Sequence, residues 1–240
     1  MKYSIQTVSD SSYFPFLKIF INSILQNCDI IHINKIYIID TGLTSPQLDW
    51  LSKKSSIIEI KSTGLSTNFN GGTWGDDWQL NVKGKTKWLL QTIKSVEEPV
   101  LMLDSDMMIM QDLHQLLNRG GDIQVCVRNK PSCPYIGSYF FSINHKKSIP
   151  FIQKWIEITN LSNEKKAHES PALCMTLPLF RNDLQIVEID ELEVNLCSPP
   201  LYKQTIIVHF KGTKLDSNIH DAMNNRLIKR GWSNEIRKYV

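Results

Sequence analysis

The sequence predicts an α/β fold: a single domain with a central mixed, mostly parallel sheet flanked by helices. Two observations carry this. Short apolar runs alternate with helical repeats from the N-terminus onward, the order that βαβ units produce. No internal repeat, low-complexity tract or convincing linker divides the 240 residues. A chain of this length buries roughly 70–75% of the surface its unfolded form exposes, so it folds without disulfides or a structural metal.

Each element has its own signal. Ser4 to Ser9 reads as a strand ending at the polar run Asp10-Ser11-Ser12. Phe16, Leu17, Phe20, Ile21, Ile24 and Leu25 recur at helical spacing. Lys35 to Asp40 is a short apolar run closed by Asp-Thr-Gly, a second strand. Ser45 to Lys53, with Pro46 at its start, is a second helix, and Ile57 to Ile60 a third strand. Ser62 to Asp77 is polar and glycine-rich, centred on Gly71-Gly72-Thr73-Trp74-Gly75, and reads as a long functional loop. Thr86 to Val96 is helical by pattern and stops at Glu97-Glu98-Pro99. Val100 to Asp106 is a strand apolar on both faces that runs into two aspartates. Further on, Ile123 to Val127, Tyr139 to Ile143, Ile186 to Ile189 and Thr205 to Phe210 are strand candidates; Ile149 to Leu161 and Pro171 to Leu177 are helices.

Composition excludes several classes. With 42% hydrophobic and 21% charged residues the chain is neither disordered nor fibrous. Its net charge of +3 is too small for bulk phosphate neutralisation, so no nucleic-acid partner is expected. Five cysteines without a C-x-x-C read as reduced thiols, which points to the cytoplasm. No signal-peptide run precedes Asp10. The stretch Phe14 to Leu25 is interrupted by Pro15, Lys18, Asn22 and Ser23, short of the ~20 apolar residues that a transmembrane helix needs.

Leu103-Asp104-Ser105-Asp106 carries the chemistry. Two carboxylates at the end of a buried strand need a cation or hydrogen bonds. In open α/β sheets ligands bind beyond the carboxyl ends of the strands. Hard oxygen ligands there suit Mn²⁺ or Mg²⁺, which in turn grips a diphosphate. The alternative is a cap for a helix starting near Gln111. His209, at the end of another apolar strand, completes a reasonable Mn²⁺ ligand set, or is a structural histidine.

The segment LMLDSDMMI resembles the metal motif of GT-A-fold glycosyltransferases, and the chain as a whole is most similar to glycosyltransferase family 8. Val8-Ser-Asp-Ser-Ser-Tyr13 resembles that family's first strand and nucleotide-binding turn; Val208-His209-Phe210-Lys211-Gly212 resembles its late histidine motif; Ser142-Ile143-Asn144 ends a segment like its mid-chain strand near the sugar. The resemblance covers about Lys2 to Gly212. It implies a GT-A-type, Rossmann-like fold with a nucleotide-binding half (1–110), an acceptor and sugar half (111–222) and a basic C-terminal segment (223–240). It also implies metal ligation by Asp104, Asp106 and His209, and donor binding by Val8, Asp10, Tyr13, Lys87, Asp104, Ser105, Lys211 and Gly212. Asp10 and Tyr13 would hold the base. Read without the family, Asp10 can equally cap the helix near Phe14, and Tyr13 can be core.

The chain departs from the family where the sugar and acceptor bind. Gly137-Ser138-Tyr139 stands where the family carries Asn-Ser/Ala-Gly, and His168-Glu169-Ser170-Pro171 where it carries Asp-Gln; its lysine-proline-tryptophan after the histidine is absent, leaving Lys211 or Lys214. The catalytic candidates are Glu169 and Asp106. Glu169 can deprotonate an acceptor hydroxyl, orient the donor sugar or cap the helix near Pro171. Lys83, Lys85 and Lys87 approach the aspartate strand; Lys87 is placed to meet a donor phosphate, or all three form a solvated face. Trp74 and Trp78 can stack on a sugar or anchor their loop. The stretch 224–240 mixes basic and aromatic residues and can touch an anionic membrane surface or pack on the domain.

The expected function is sugar transfer from a nucleotide-diphosphate donor, UDP-sugar favoured, to an acceptor hydroxyl on a glycan or glycoconjugate, with Mn²⁺ or Mg²⁺ as cofactor. The rivals are an inactive sugar-nucleotide-binding module, a Mg²⁺-dependent phosphatase of the haloacid-dehalogenase type and a nucleotidyltransferase. The phosphatase wants Thr or Val where Met108 stands and its nucleophile near the start of the chain. The nucleotidyltransferase wants a glycine-rich phosphate loop that the Asp10–Tyr13 turn lacks.

Overall fold

A computed structural model describes residues 1–67, 76–161, 169–198, 200–210 and 238–239. Its strands are β1 (Tyr3–Ser9), β2 (Ile33–Asp40), β3 (Ile58–Ser62), β4 (Val100–Leu103), β5 (Met107–Ile109), β6 (Ile123–Val127), β7 (Tyr135–Ser142), β8 (Ile186–Asp190) and β9 (Ile207–His209). Its helices are α1 (Phe14–Asn27), α2 (Ser45–Lys54), α3 (Asp76–Ser95), α4 (His114–Leu117), α5 (His145–Leu161), α6 (Glu169–Phe180) and α7 (Glu191–Val194).

Seven strands form the main sheet in the order β3-β2-β1-β4-β7-β6-β8. β1 is parallel to both β2 and β4, and β2 to β3. β7 alone reverses, antiparallel to β4 and β6, while β6 and β8 are parallel to each other. The sheet is therefore mixed and mostly parallel, as expected. β5 and β9 pair antiparallel in a second, two-stranded sheet.

Period-two alternation sends side chains to two cores. Leu101 and Leu103 of β4 face a cluster with Leu17, Phe20 and Ile24 of α1 and Leu51 of α2. Val100 and Met102 face Leu89 and Ile93 of α3, Phe151 and Trp155 of α5, and Leu173 and Leu177 of α6. A third cluster joins Phe16 and Ile19 of α1 to Met108, Val208 and Phe210. α1 thus packs on the main sheet with one face and on the small sheet with another, and Ser23 and Asn27 bond Ile109 of β5, which fixes the small sheet along α1.

Several boundaries differ from the sequence reading, three of them next to the aspartates or the helix that faces them. β4 stops at Leu103, and the chain turns through Asp104-Ser105-Asp106 before β5 begins as a separate strand. The helix expected from Thr86 begins at Asp76 instead. Gly84 interrupts the pattern, yet the Trp88 side chain packs over it one turn later, in space that a Cβ would take. β7 begins at Tyr135 rather than Tyr139, and all of it is buried. The expected loop from Ser62 lies largely outside the described residues, Trp74 included, as does most of 224–240. Of that C-terminal stretch, Lys238 and Tyr239 are described: the Tyr239 carbonyl accepts from Asn22 Nδ2 at 2.7 Å and its hydroxyl from Asn27 Nδ2 at 2.6 Å, both on α1. Among the described residues no helix is long and apolar enough to cross a membrane.

Candidate metal and nucleotide site

The strand order reverses between β1 and β4. β2 and β3 lie to one side of β1, and β4 opens the other half of the sheet. Such a switch point leaves a crevice beyond the carboxyl ends of the two strands. Asp10 follows β1 there, and Asp104 follows β4.

The β1 turn is built around Asp10. Its Oδ1 accepts from Ser12 N at 3.0 Å, Ser12 Oγ at 2.7 Å and Tyr13 N at 3.1 Å, so it closes the turn that leads into α1 rather than capping the helix itself. The neighbouring turn supports it: Ser11 N donates to Gly42 O at 3.1 Å. Gly42 has φ +141°, and a Cβ there would come within 2.6 Å of Thr67 O, so only glycine fits. Tyr13 is half-buried with its ring against Phe16. Burial first, and then the nearby carboxylates of Asp106, Asp104 and Asp10, push its phenol well above the usual range. Tyr13 therefore stands close to the aspartates in its neutral form. Val8 lies in β1, half-buried.

Asp104, Asp106 and His209 converge, each offering a ligand atom within 4.8 Å of the others. The small sheet brings His209 in. Met107 pairs with His209, and Phe210 N donates to Asp106 O at 2.9 Å, so β9 runs alongside the aspartate turn. His209 Nε2 lies 3.2 Å from Asp106 Oδ1 and 3.8 Å from Asp104 Oδ2. Its Nδ1 meets Asn195 Oδ1 at 2.7 Å. Ser138 Oγ donates to the same oxygen at 3.0 Å, and Asn195 Nδ2 faces Cys197 Sγ at 3.7 Å. An amide oxygen only accepts, so Nδ1 carries the hydrogen and Nε2 turns its lone pair toward the carboxylates. A lone pair facing carboxylate oxygens is an arrangement that a cation among the three groups would satisfy. Ser105, between the aspartates, is buried. Burial opposes ionisation of Asp106, but the neighbouring His209, a backbone N–H and Lys85 outweigh it and hold the carboxyl below its ordinary value.

Lys85 joins this centre to Glu169. From α3, Nζ donates to Asp104 Oδ1 at 2.7 Å and to Glu169 Oε1 at 3.2 Å, with the lysine side chain only 6% exposed. Burial opposes its charge, yet the two carboxylates and their hydrogen bonds hold its pKa well above that of a free lysine. Lys87, two residues on, is exposed and makes no such contact. The lysine that reaches the site is Lys85, because the lengthened α3 turns it inward. Glu169 opens α6, with its backbone oxygen accepting from Trp155 Nε1 at 2.8 Å. Its side chain lies directly over Gly137 of β7, where any Cβ would collide with it. Oε2 is buried with no hydrogen-bond partner. Lys211 and Gly212 lie outside the described residues.

Asn195, Ser138 and Gly137 carry no signal in sequence that ties them to the aspartates. Asn195 is one polar residue in Val194-Asn195-Leu196, and the bridge between Leu196 and Val208, with His209 N donating to Leu196 O at 2.9 Å, brings it under His209.

No family model and no curated protein matches the sequence. Solved structures do. The apo form of the glycosyltransferase GlyE of Streptococcus pneumoniae TIGR4 superposes with a TM-score of 0.60 at 15% identity, over 98% of this chain and 64% of that one. The apo bifunctional glycosyltransferase WbbM gives a TM-score of 0.61 at 10% identity, over 99% of this chain and 51% of that one. This chain thus spans between half and two thirds of the neighbours' lengths. At these identities the likeness establishes the fold alone: a mixed seven-stranded sheet between helices, shared with those two glycosyltransferases.

Proposed function

We propose that the protein is a metal-dependent glycosyltransferase, organised as one domain, that moves a hexosyl group from a nucleotide-diphosphate sugar, UDP-sugar favoured, to an acceptor hydroxyl on a glycan or glycoconjugate. The observation that carries it is the convergence of Asp104, Asp106 and His209 at the switch point of a glycosyltransferase fold, with Nε2 of the histidine turned toward both carboxylates. Two carboxylate oxygens and an imidazole nitrogen fit Mn²⁺, and Mg²⁺ less well. Asp104, Asp106 and His209 would hold the ion, which would supply Lewis-acid stabilisation of the departing diphosphate.

The remaining residues have separate tasks. Asp10 and Tyr13 form the turn against which a base would rest, with Val8 beneath it. Lys85 shares one positive charge between Asp104 and Glu169, which eases their mutual repulsion and leaves net negative charge at the aspartates for a metal ion to balance. Glu169 Oε2 has acceptor capacity to spare for a sugar or acceptor hydroxyl. That supports a donor-orienting or proton-accepting role for Glu169 alongside its place at the start of α6. The fold likeness favours this reading over the phosphatase and the nucleotidyltransferase.

Thermal melting with nucleotide sugars, with and without Mn²⁺, tests the proposal. A ligand that binds only the folded state, at a hundred times its Kd, stabilises by about 2.7 kcal/mol. The expected result is a Mn²⁺-dependent rise with one class of donor that Asp104→Asn and Asp106→Asn each remove. A rise indifferent to metal, or retained in both variants, overturns it.

A further inference from the structure

Two thiols far apart in sequence meet beside α6. Cys133 Sγ and Cys174 Sγ lie 3.3 Å apart, 41 residues from each other along the chain. Both point at the same acceptor, the Tyr135 carbonyl, at 3.6 and 3.8 Å. Cys133 sits in the turn between β6 and β7 and is 9% exposed, whereas Cys174, one turn into α6, is partly open. The turn is held in place by Arg128, whose N donates to Pro134 O at 2.8 Å and whose Nε donates to Cys133 O at 2.8 Å. The pair is therefore presented by ordered backbone on both sides, near enough to bond after a small approach.

We infer that Cys133 and Cys174 form a reversible dithiol–disulfide couple, a modification site for small disulfide oxidants of the glutathione disulfide class. Cys174, the accessible member, gives up its proton, and its sulfur attacks one sulfur of the oxidant. A mixed disulfide forms and one glutathione thiolate leaves. Cys133 then loses its proton and attacks the Cys174 sulfur, closing the intramolecular bond and expelling the second glutathione thiolate. Two electrons pass from the protein to the oxidant, and the two cysteine protons end on the two glutathiones. The bond would tie the β6–β7 turn to α6, four residues before Gly137 and five after Glu169, so it clamps the two chain segments whose contact seats Glu169.

Burial pushes the Cys174 thiol up to about 11, so the first attack, by the Cys174 sulfur on the oxidant, is slow at neutral pH and quickens as pH rises. The test treats the intact folded protein with glutathione disulfide at pH 8, alkylates the remaining thiols, and maps peptides by mass. The expected product is a Cys133–Cys174 cross-linked peptide, two mass units lighter than the reduced pair and released by dithiothreitol. Cys133→Ser should stop at one glutathione on Cys174, and Cys174→Ser should leave Cys133 free. Full alkylation of both thiols after treatment overturns the inference. So does a stable glutathione adduct on Cys174 in the unsubstituted protein, because it means that Cys133 cannot reach the mixed disulfide.

Discussion

Asn195 Oδ1 and His209 Nδ1 are 2.7 Å apart, and this one contact decides which nitrogen of the imidazole faces the aspartates. The asparagine is itself held by Ser138 and is buried. A group that fixes a ligand's tautomer and ring orientation contributes to metal affinity without touching the metal.

Asn195→Leu should therefore lower Mn²⁺ affinity by about 10–100-fold while Asp104, Asp106 and His209 remain in place. Electron paramagnetic resonance of free Mn²⁺ during titration measures this directly. Asn195→Asp, which keeps an acceptor for Nδ1–H, should recover most of the loss. Equal affinity in Asn195→Leu and the unsubstituted protein would show that the imidazole is oriented by something else.

Lys85 carries the charge balance of the site. Lys85→Met leaves Asp104 and Glu169 without their shared cation and should destabilise the apo protein by about 3–5 kcal/mol in urea unfolding. The sign of the pH dependence follows from its raised pKa. The contribution is complete below the free lysine value of about 10.4 and fades as pH rises through the higher folded value. The gap between the two proteins should hold from pH 7 to 10 and close only in stronger alkali. Lys87→Met, on the exposed side of α3, should change stability by no more than about 0.5 kcal/mol.

Gly137→Ala places a methyl group where the Glu169 side chain now lies. Overpacking of this kind costs about 1–3 kcal/mol and should push Glu169 away from Lys85. Crystallography of the variant would show the Lys85–Glu169 distance lengthened beyond its present 3.2 Å, with the Lys85–Asp104 contact kept. An unmoved Glu169 would contradict this account of why a glycine stands at 137.

Asp122 anchors the far half of the sheet. Its carboxylate accepts from Gln185 N at 2.9 Å, Lys147 Nζ at 2.9 Å and Asn144 Nδ2 at 3.2 Å. Burial works against its ionisation, but these donors prevail and hold its pKa below the ordinary carboxylate value. Its contribution is thus present above about pH 3.9 and is lost as pH falls through the lower folded value. Asp122→Asn should cost about 1–3 kcal/mol at pH 7, with the difference shrinking toward pH 3 in denaturant titrations.

Much of this architecture was legible in the chain itself. The β1–α1–β2–α2–β3 run follows from apolar periodicity and turn residues, which are local. The aspartate pair was legible because carboxylates at the end of a doubly apolar strand conflict with burial unless they serve a ligand. His209 could be nominated only because a second strand ended in a potential ligand and its surroundings resembled a known motif. Among Lys83, Lys85 and Lys87 the sequence singled out Lys87, by its position before a helix, rather than Lys85. The choice among them depends on the phase of α3, and Gly84 hides that phase until Trp88 is seen to cover it.

By itself, then, the sequence determined the α/β class, the apolar strand that leads into Asp104 and Asp106, and the turn at Asp10 and Tyr13. Each of these arises from interactions among residues close along the chain. Tertiary structure alone decided that β5 and β9 pair, that Asn195 turns His209 toward the aspartates, that Lys85 bridges Asp104 to Glu169, and that Cys133 meets Cys174. Those contacts join residues 14 to 103 positions apart. They depend on how α1, α3 and α6 pack on the two faces of the sheet, and the pattern of any one segment carries no record of that.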